Sequence, residues 1–271
     1  MTGWKPIPRV GKQDAYPTFY PQPSPRMPIP VRETFPTDRE DLIVQVTDDG
    51  SLTLVRAGSD DAFHSGCGAA SETWHVYLRN CGVSERLGLR KPTRVLEIGL
   101  GTSMAMLMTL DAAVAQDTVL DYVAVETDWI SAATLQYLKP RDWTSRPGPV
   151  DTYLHFRRSL PEKVPPGTYR WRFDARRNVT IEVADVRQWS HEAERPFDAI
   201  YYDPFCCESA PELWTSDCFR SMRRAIRDTG KLTTYSCSRP VRDALEQAGW
   251  QVQRVPGPVG GKREVIIASP V

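Results

Sequence analysis

The sequence predicts an α/β protein built on a doubly wound sheet, and three observations carry that reading. A buried strand runs into a helix through two glycines at Arg94-Val95-Leu96-Glu97-Ile98-Gly99-Leu100-Gly101-Thr102-Ser103. Further apolar strand segments follow, and each ends in a carboxylate. From about residue 93 onward, strands alternate with helices, as in a Rossmann-like fold.

Taken in chain order, residues 1–40 hold nine of the 23 prolines, in runs such as Pro21-Gln22-Pro23-Ser24-Pro25. That spacing is hostile to helices and central strands, so a proline-rich flexible tail is expected there. Residues 41–92 read as a small N-terminal annex. Leu42 to Val46 and Ser51 to Val55, joined by Asp48-Asp49-Gly50, form a hairpin, and a helix begins near Ala69 with Trp74, Tyr77 and Leu78 on its apolar face.

Residues 93–271 make up the main domain. Val95, Leu96 and Ile98 supply its first strand, Gly99 and Gly101 let the backbone approach a ligand, and Thr102 is placed to cap the following helix. Leu120 to Glu126 is the second strand, Val179 to Val183 before Ala184-Asp185 the third, and Phe197 to Tyr202 before Asp203-Pro204-Phe205 the fourth. Residues 139–178 are too long for a plain connection. Tyr169 to Phe173 followed by Asn178 to Val183 reads as an inserted hairpin, giving an insertion at about 139–184.

The glycine turn also discriminates between ligands. Met104 stands where a dinucleotide fingerprint needs its third glycine, which argues against NAD or FAD. Glu97 puts a carboxylate beside the turn, where it can hold an amino-acid amine, so S-adenosylmethionine fits better. Glu126 is the ribose candidate. Ligands of open α/β sheets sit outside the carboxyl ends of the strands, so Glu97, Glu126, Asp185 and Asp203 are expected to converge on one crevice, although any one such acid alone is more often a turn residue or helix cap.

The 271 residues, 41% hydrophobic and 25% charged, suffice for one domain with a small annex. Lys plus Arg equals Asp plus Glu at 34 each, which gives no support to a strongly basic nucleic-acid binder. Arginines do cluster, at Arg157-Arg158, Arg170, Arg172 and Arg176-Arg177, and at Arg220, Arg223, Arg224 and Arg227; these are either phosphate contacts or a solvated face. The six cysteines show no Cys-x-x-Cys pair and no zinc spacing, so reduced thiols and no metal are expected, Cys206-Cys207 included. No leader and no membrane-spanning apolar stretch is apparent, so no membrane association and a cytoplasmic location are expected.

Beyond these patterns, the chain resembles a known family over roughly residues 45–270. The resemblance rests on Asp49-Gly50-Ser51-Leu52-Thr53-Leu54, on Phe63-His64-Ser65 leading to Gly68-Ala69 and Glu72-Thr73-Trp74-His75-Val76-Tyr77-Leu78, and on the Glu97-x-Gly99-x-Gly101-Thr102 turn. It continues in Asp203-x-Phe205 with Pro211-Glu212-Leu213-Trp214, Thr234-Tyr235-Ser236, Val241-Arg242 before Ala248-Gly249-Trp250, and Gly260-Gly261-Lys262-Arg263-Glu264. These are similar to the methyltransferase domain of the bifunctional enzyme that makes 5-methylaminomethyl-2-thiouridine at the tRNA wobble position, and to its stand-alone relatives.

The resemblance implies a class I S-adenosylmethionine-dependent methyltransferase fold with a mixed seven-stranded sheet. It also implies tRNA as partner, with N-methylation of 5-aminomethyl(2-thio)uridine as the reaction. Asp203 becomes the catalytic acidic residue, and Glu97, Gly99, Gly101, Thr102, Glu126 and Asp185 the donor-binding residues. Chemistry fits Asp203 independently: an alkyl amine, with a model value of about 10.4, is protonated at neutral pH, and only its neutral form attacks a methyl group. Tyr201, Tyr202, Phe205 and Trp214 offer either an aromatic wall for a sulfonium or flipped base or ordinary core packing.

The chain departs from the pattern at two places. Cys207, Glu208 and Ser209 replace the proline and basic residues usual after the catalytic acid, and Ser103 replaces a further turn glycine. No Gly-x-Gly-x-x-Gly occurs, so no FAD-dependent oxidase domain is expected, and the aminomethyl group would be made by other enzymes. A methyltransferase for a small amine or another RNA position, or a catalytically inactive cofactor- or tRNA-binding protein, stays open at this point.

Overall fold

Two sheets organise the residues described by the structure, a computed structural model covering 31–59, 61–190 and 195–271. Residues 1–30, most of the expected tail, lie outside the described residues. Arg32–Val271 forms one compact unit, so folding starts inside the stretch read as tail. There Thr34–Pro36 (β1) pairs antiparallel with Leu42–Val46 (β2), an exposed edge position that tolerates proline. β2 pairs with Leu52–Arg56 (β3) in the expected hairpin.

The expected helix begins at Ala69–Thr73 (α1), then widens into a π-helical turn over Trp74–Arg79 before Val83–Gly88 (α2). In an α-helix, side chains five apart diverge by about 140°. The wider turn reduces that divergence, and Glu72 and Tyr77 both come beside Asp203.

The larger sheet is built from Thr93–Ile98 (β4), Met104–Ala115 (α3), Leu120–Glu126 (β5), Ala132–Gln136 (α4), Pro147–Arg158 (α5), Gly167–Arg172 (β6), Arg177–Val183 (β7), Phe197–Tyr202 (β8), Ser216–Ala225 (α6), Ile226–Thr234 (β9), Arg239–Gln247 (α7), Trp250–Pro256 (β10) and Glu264–Pro270 (β11). Among the described residues it has eight strands in the order β10-β11-β9-β8-β4-β5-β7-β6, one more than expected. The eighth comes from the hairpin near residue 170: β7 joins parallel to β5, which carries β6 to the antiparallel edge.

β8, β4, β5, β7 and β9 are mutually parallel, and the chain order reverses between β4 and β8. A doubly wound sheet opens its ligand crevice at such a reversal. α3 is buried on nearly every face, while α6 and α7 cover the other side with amphipathic stripes. Neighbouring residues of β8 serve opposite cores: Tyr201 packs with α3, Tyr202 with α6.

At the amino end of β8, the buried carboxylate of Asp198 is neutralised by its own chain. Arg86 Nη2 lies 2.6 Å and Arg227 Nη1 2.8 Å from it, and the Arg94 N–H donates to it at 2.8 Å. No helix among the described residues is long and apolar enough to cross a membrane.

Candidate active site

At the carboxyl ends of the parallel strands lies a cleft of about 470 Å³, and it brings together the expected donor-binding and catalytic residues Glu97, Gly99, Gly101, Thr102, Glu126, Asp185 and Asp203. The turn after β4 forms because its glycines adopt left-handed conformations, φ +86° at Gly99 and +49° at Gly101. A Cβ on Gly99 would sit 2.5 Å from the Asp203 carbonyl oxygen, so the two loops touch backbone to backbone. The Asp203 N–H donates to the Ile98 carbonyl at 2.8 Å, which locks that register.

Ser103, not Thr102, occupies the cap position of α3, which corrects the expected capping role of Thr102. Ser103 holds φ +64°, the conformation a glycine would take freely, and its hydroxyl bonds the Tyr153 hydroxyl at 2.7 Å. Thr102 lines the cleft instead. Its side chain is 1% exposed and Oγ1 has no hydrogen-bond partner, an orphaned polar group suited to a ligand.

Each carboxylate has a distinct environment. Glu97 is 2% exposed and accepts a bond from the Tyr122 hydroxyl at 2.8 Å. Burial pushes its carboxyl well above the usual range against that bond, and the nearby Asp203 and Glu126 charges push the same way. Glu126 accepts the Gly101 N–H at 3.0 Å and the Asp128 N–H at 2.8 Å, so the end of β5 braces the glycine turn. Asp185 is gripped by Arg187 at 2.5 Å, which holds its carboxyl below the ordinary range.

Burial drives Asp203 well upward. The phenol of Tyr77 opposes that rise, the charge of Glu72 adds to it, and Lys262 opposes it. Tyr77 Oη is close enough to act electrostatically yet makes no hydrogen bond of ordinary length.

Only Phe205 of the four expected aromatics lines the cleft. Tyr201 and Tyr202 are fully buried core residues, and Trp214 packs against Tyr202, Phe219 and Tyr235. Sequence reasoning assigned no role to Phe63, whose ring meets Phe205 at 5.2 Å, or to Tyr235, which carries the Lys262 ammonium 4.2 Å above its ring. Both lay within the family-like segments, which was the available signal. His64 also lines the cleft; burial lowers it to about 4, so it is neutral near pH 7.

The arginine clusters are largely engaged within the protein. Arg157 is buried with its guanidinium on the carbonyls of Trp129, Ile130, Pro161 and Glu162, and Arg176 and Arg177 pair with Asp117. Arg220 pairs with Asp217, Arg223 with Asp228 and Arg227 with Asp198. In the divergent loop, Ser209 Oγ bonds both oxygens of Asp61, 2.8 and 2.9 Å away, and so ties the loop to the N-terminal hairpin region. All six cysteines are free, and among the described residues no group of three or more His, Cys, Asp or Glu is arranged to hold a metal ion.

Comparison with known proteins fits this geometry. A family described as S-adenosyl-L-methionine-dependent methyltransferase matches residues 152–270. The tRNA 5-methylaminomethyl-2-thiouridine biosynthesis bifunctional protein of Delftia acidovorans is 30% identical over 77% of this chain and 32% of its own length. That of Burkholderia multivorans is 31% identical over 82% of this chain and 34% of its own. The chain thus spans about a third of the curated relatives it matches. The crystal structure of MnmC2 from Aquifex aeolicus superposes with a TM-score of 0.67 at 22% identity, covering 86% of this chain and 71% of that one, and shares the class I methyltransferase fold.

Proposed function

The chain is a relative of the methyltransferase domain of the 5-methylaminomethyl-2-thiouridine biosynthesis proteins, and from that premise we propose that it methylates the primary amine of 5-aminomethyl(2-thio)uridine in tRNA, with S-adenosylmethionine as donor. The observation that carries this reading is the contact between Gly99 and Asp203, which sets an acid for the amine against the turn for the donor.

The residues fit the donor. Glu97 and Asp203 favour the cationic end, the orphaned Thr102 hydroxyl and the glycine turn suit its carboxylate, Glu126 ends β5 where a ribose is held, and Asp185 borders the purine side. S-adenosylmethionine supplies an electrophilic methyl group. The protein's own residues do the rest: Asp203 binds the substrate ammonium and takes its proton, and Phe63 and Phe205 close an aromatic side against water and the base.

Labelled S-adenosylmethionine and tRNA lacking the methylaminomethyl group test this, with nucleoside mass analysis of the product. One methyl gained on 5-aminomethyluridine is expected. Donor binding without transfer to tRNA, but with transfer to free alkyl amines, would replace tRNA with a small-molecule acceptor.

A further inference from the structure

Besides the carboxylates at the strand ends, a further one enters the cleft from the N-terminal helix. Glu72, on α1, is 6% exposed and lines the same cleft. One of its oxygens accepts the Ser65 N–H at 2.6 Å, an anchor that fixes the side chain. Burial pushes its carboxyl above the usual range, with the Ser65 bond and Lys262 acting against that rise. Its place in the first turn of α1 and its bond to Ser65 favour an acid there, but a buried carboxylate without an ion-pair partner still costs folding energy.

An independent observation points to a ligand at the same place. Tyr77 is 2% exposed, its hydroxyl makes no hydrogen bond of ordinary length although it lies near Asp203, and the charges of both Asp203 and Glu72 act on it. Tyr235 feels the same two charges and carries Lys262 over its ring. The charges of Asp203 and Glu72 thus act on both phenols and Lys262 acts on both carboxylates, and Glu72, Asp203, Tyr235 and Lys262 line one cleft together with Glu97 and neutral His64.

Resting on the function proposed above, we infer that Glu72 is a second catalytic carboxylate, which with Asp203 holds the acceptor amine and shares the removal of its proton. The ammonium passes one proton to a carboxylate oxygen. The freed lone pair forms the N–C bond as the methyl C–S bond breaks, its electron pair staying on sulfur. The product leaves as a secondary ammonium whose two N–H groups face the two carboxyl groups. One carboxylate alone would have to receive the proton and hold the amine with the same oxygens. Two carboxylates divide those tasks.

Glu72→Gln keeps an oxygen for the Ser65 N–H while removing the charge. Its rate on amine-bearing tRNA is expected to fall about 10²-fold. S-adenosylmethionine affinity, measured by titration calorimetry, should stay at the wild-type value. The acid limb of kcat/KM should also move to lower pH, because the neighbour that raises Asp203 has lost its charge. Glu72→Asp, which keeps the charge, should recover part of the rate. A Glu72→Gln protein with wild-type rate and an unmoved acid limb overturns the inference, as does loss of donor binding that Glu72→Asp fails to restore. Wild-type transfer to tRNA is the control: its absence overturns the proposed function and this inference together, whereas its presence beside an indifferent Glu72→Gln overturns this inference alone.

Discussion

Asp198 near the start of β8 and Asp203 just past its end are carboxylates of one strand, yet they meet opposite surroundings. Asp198 has Arg86 and Arg227 within ion-pair distance and a backbone N–H besides. Among the described residues no arginine forms an ion pair with Asp203, and the groups acting on it are a phenol, a second acid and Lys262. The chain completes the charge balance at the amino end of the sheet and leaves it open at the carboxyl end. A buried carboxylate satisfied by its own protein holds structure, whereas one left short of partners is ready for a cation from outside.

The largest consequence of that contrast is catalytic. Asp203→Asn should lower methyl transfer by about 10²- to 10⁴-fold while S-adenosylmethionine still binds, as measured by single-turnover rates and calorimetry. A near-normal rate would break the comparison, because Asp203 would then be no more chemical than Asp198.

The next effect falls on stability. Asp198→Ala strands two arginines around an apolar gap and should cost about 3 kcal/mol in denaturant unfolding. The rate of the protein that remains folded should be unchanged. Loss of activity beyond loss of folded protein would mean that the two ends of β8 are coupled.

The smallest effect sharpens the comparison through its sign. Asp203 titrates higher in the folded protein than its unfolded value of about 3.9, so the folded state binds the extra proton. Stability is therefore lost as pH rises from about 4 through the raised folded value, and above that value the penalty is constant. Asp203→Asn removes it. The variant should unfold at a higher temperature than wild type at about pH 8, by about 1 kcal/mol or more in stability, with no gain at about pH 4. A variant less stable than wild type at both pH values would show that Asp203 holds the fold as Asp198 does.

Much of this arrangement was legible because it is local. A glycine turn between an apolar strand and a helix, and acids at strand ends, follow from residues adjacent in sequence, and the parallel sheet then brings the ends together. What escaped the sequence depends on rotation or distance. Whether Tyr201 or Tyr202 faces the cleft depends on the pleat, and in fact neither does. Thr102 and Ser103 differ by one position, and only the left-handed backbone of Ser103 decides which of them starts the helix. Glu72 and Tyr77 reach Asp203 through a widened helical turn that no propensity scale encodes. Lys262 arrives from a loop near the chain's end, and its partner ring lies on Tyr235 just after β9.

The closeness of Gly99 to the Asp203 backbone has a consequence for how such proteins can diverge. The donor half and the acceptor half of the site are not interchangeable modules, because they share a seam with no room for one carbon atom. The loop carrying Cys207, Glu208 and Ser209 lies beyond that seam, joined to the rest by the reach of Ser209 to Asp61. Change is therefore channelled outward: the rim of the cleft can be rewritten for a new acceptor while the two backbones beneath it stay in step.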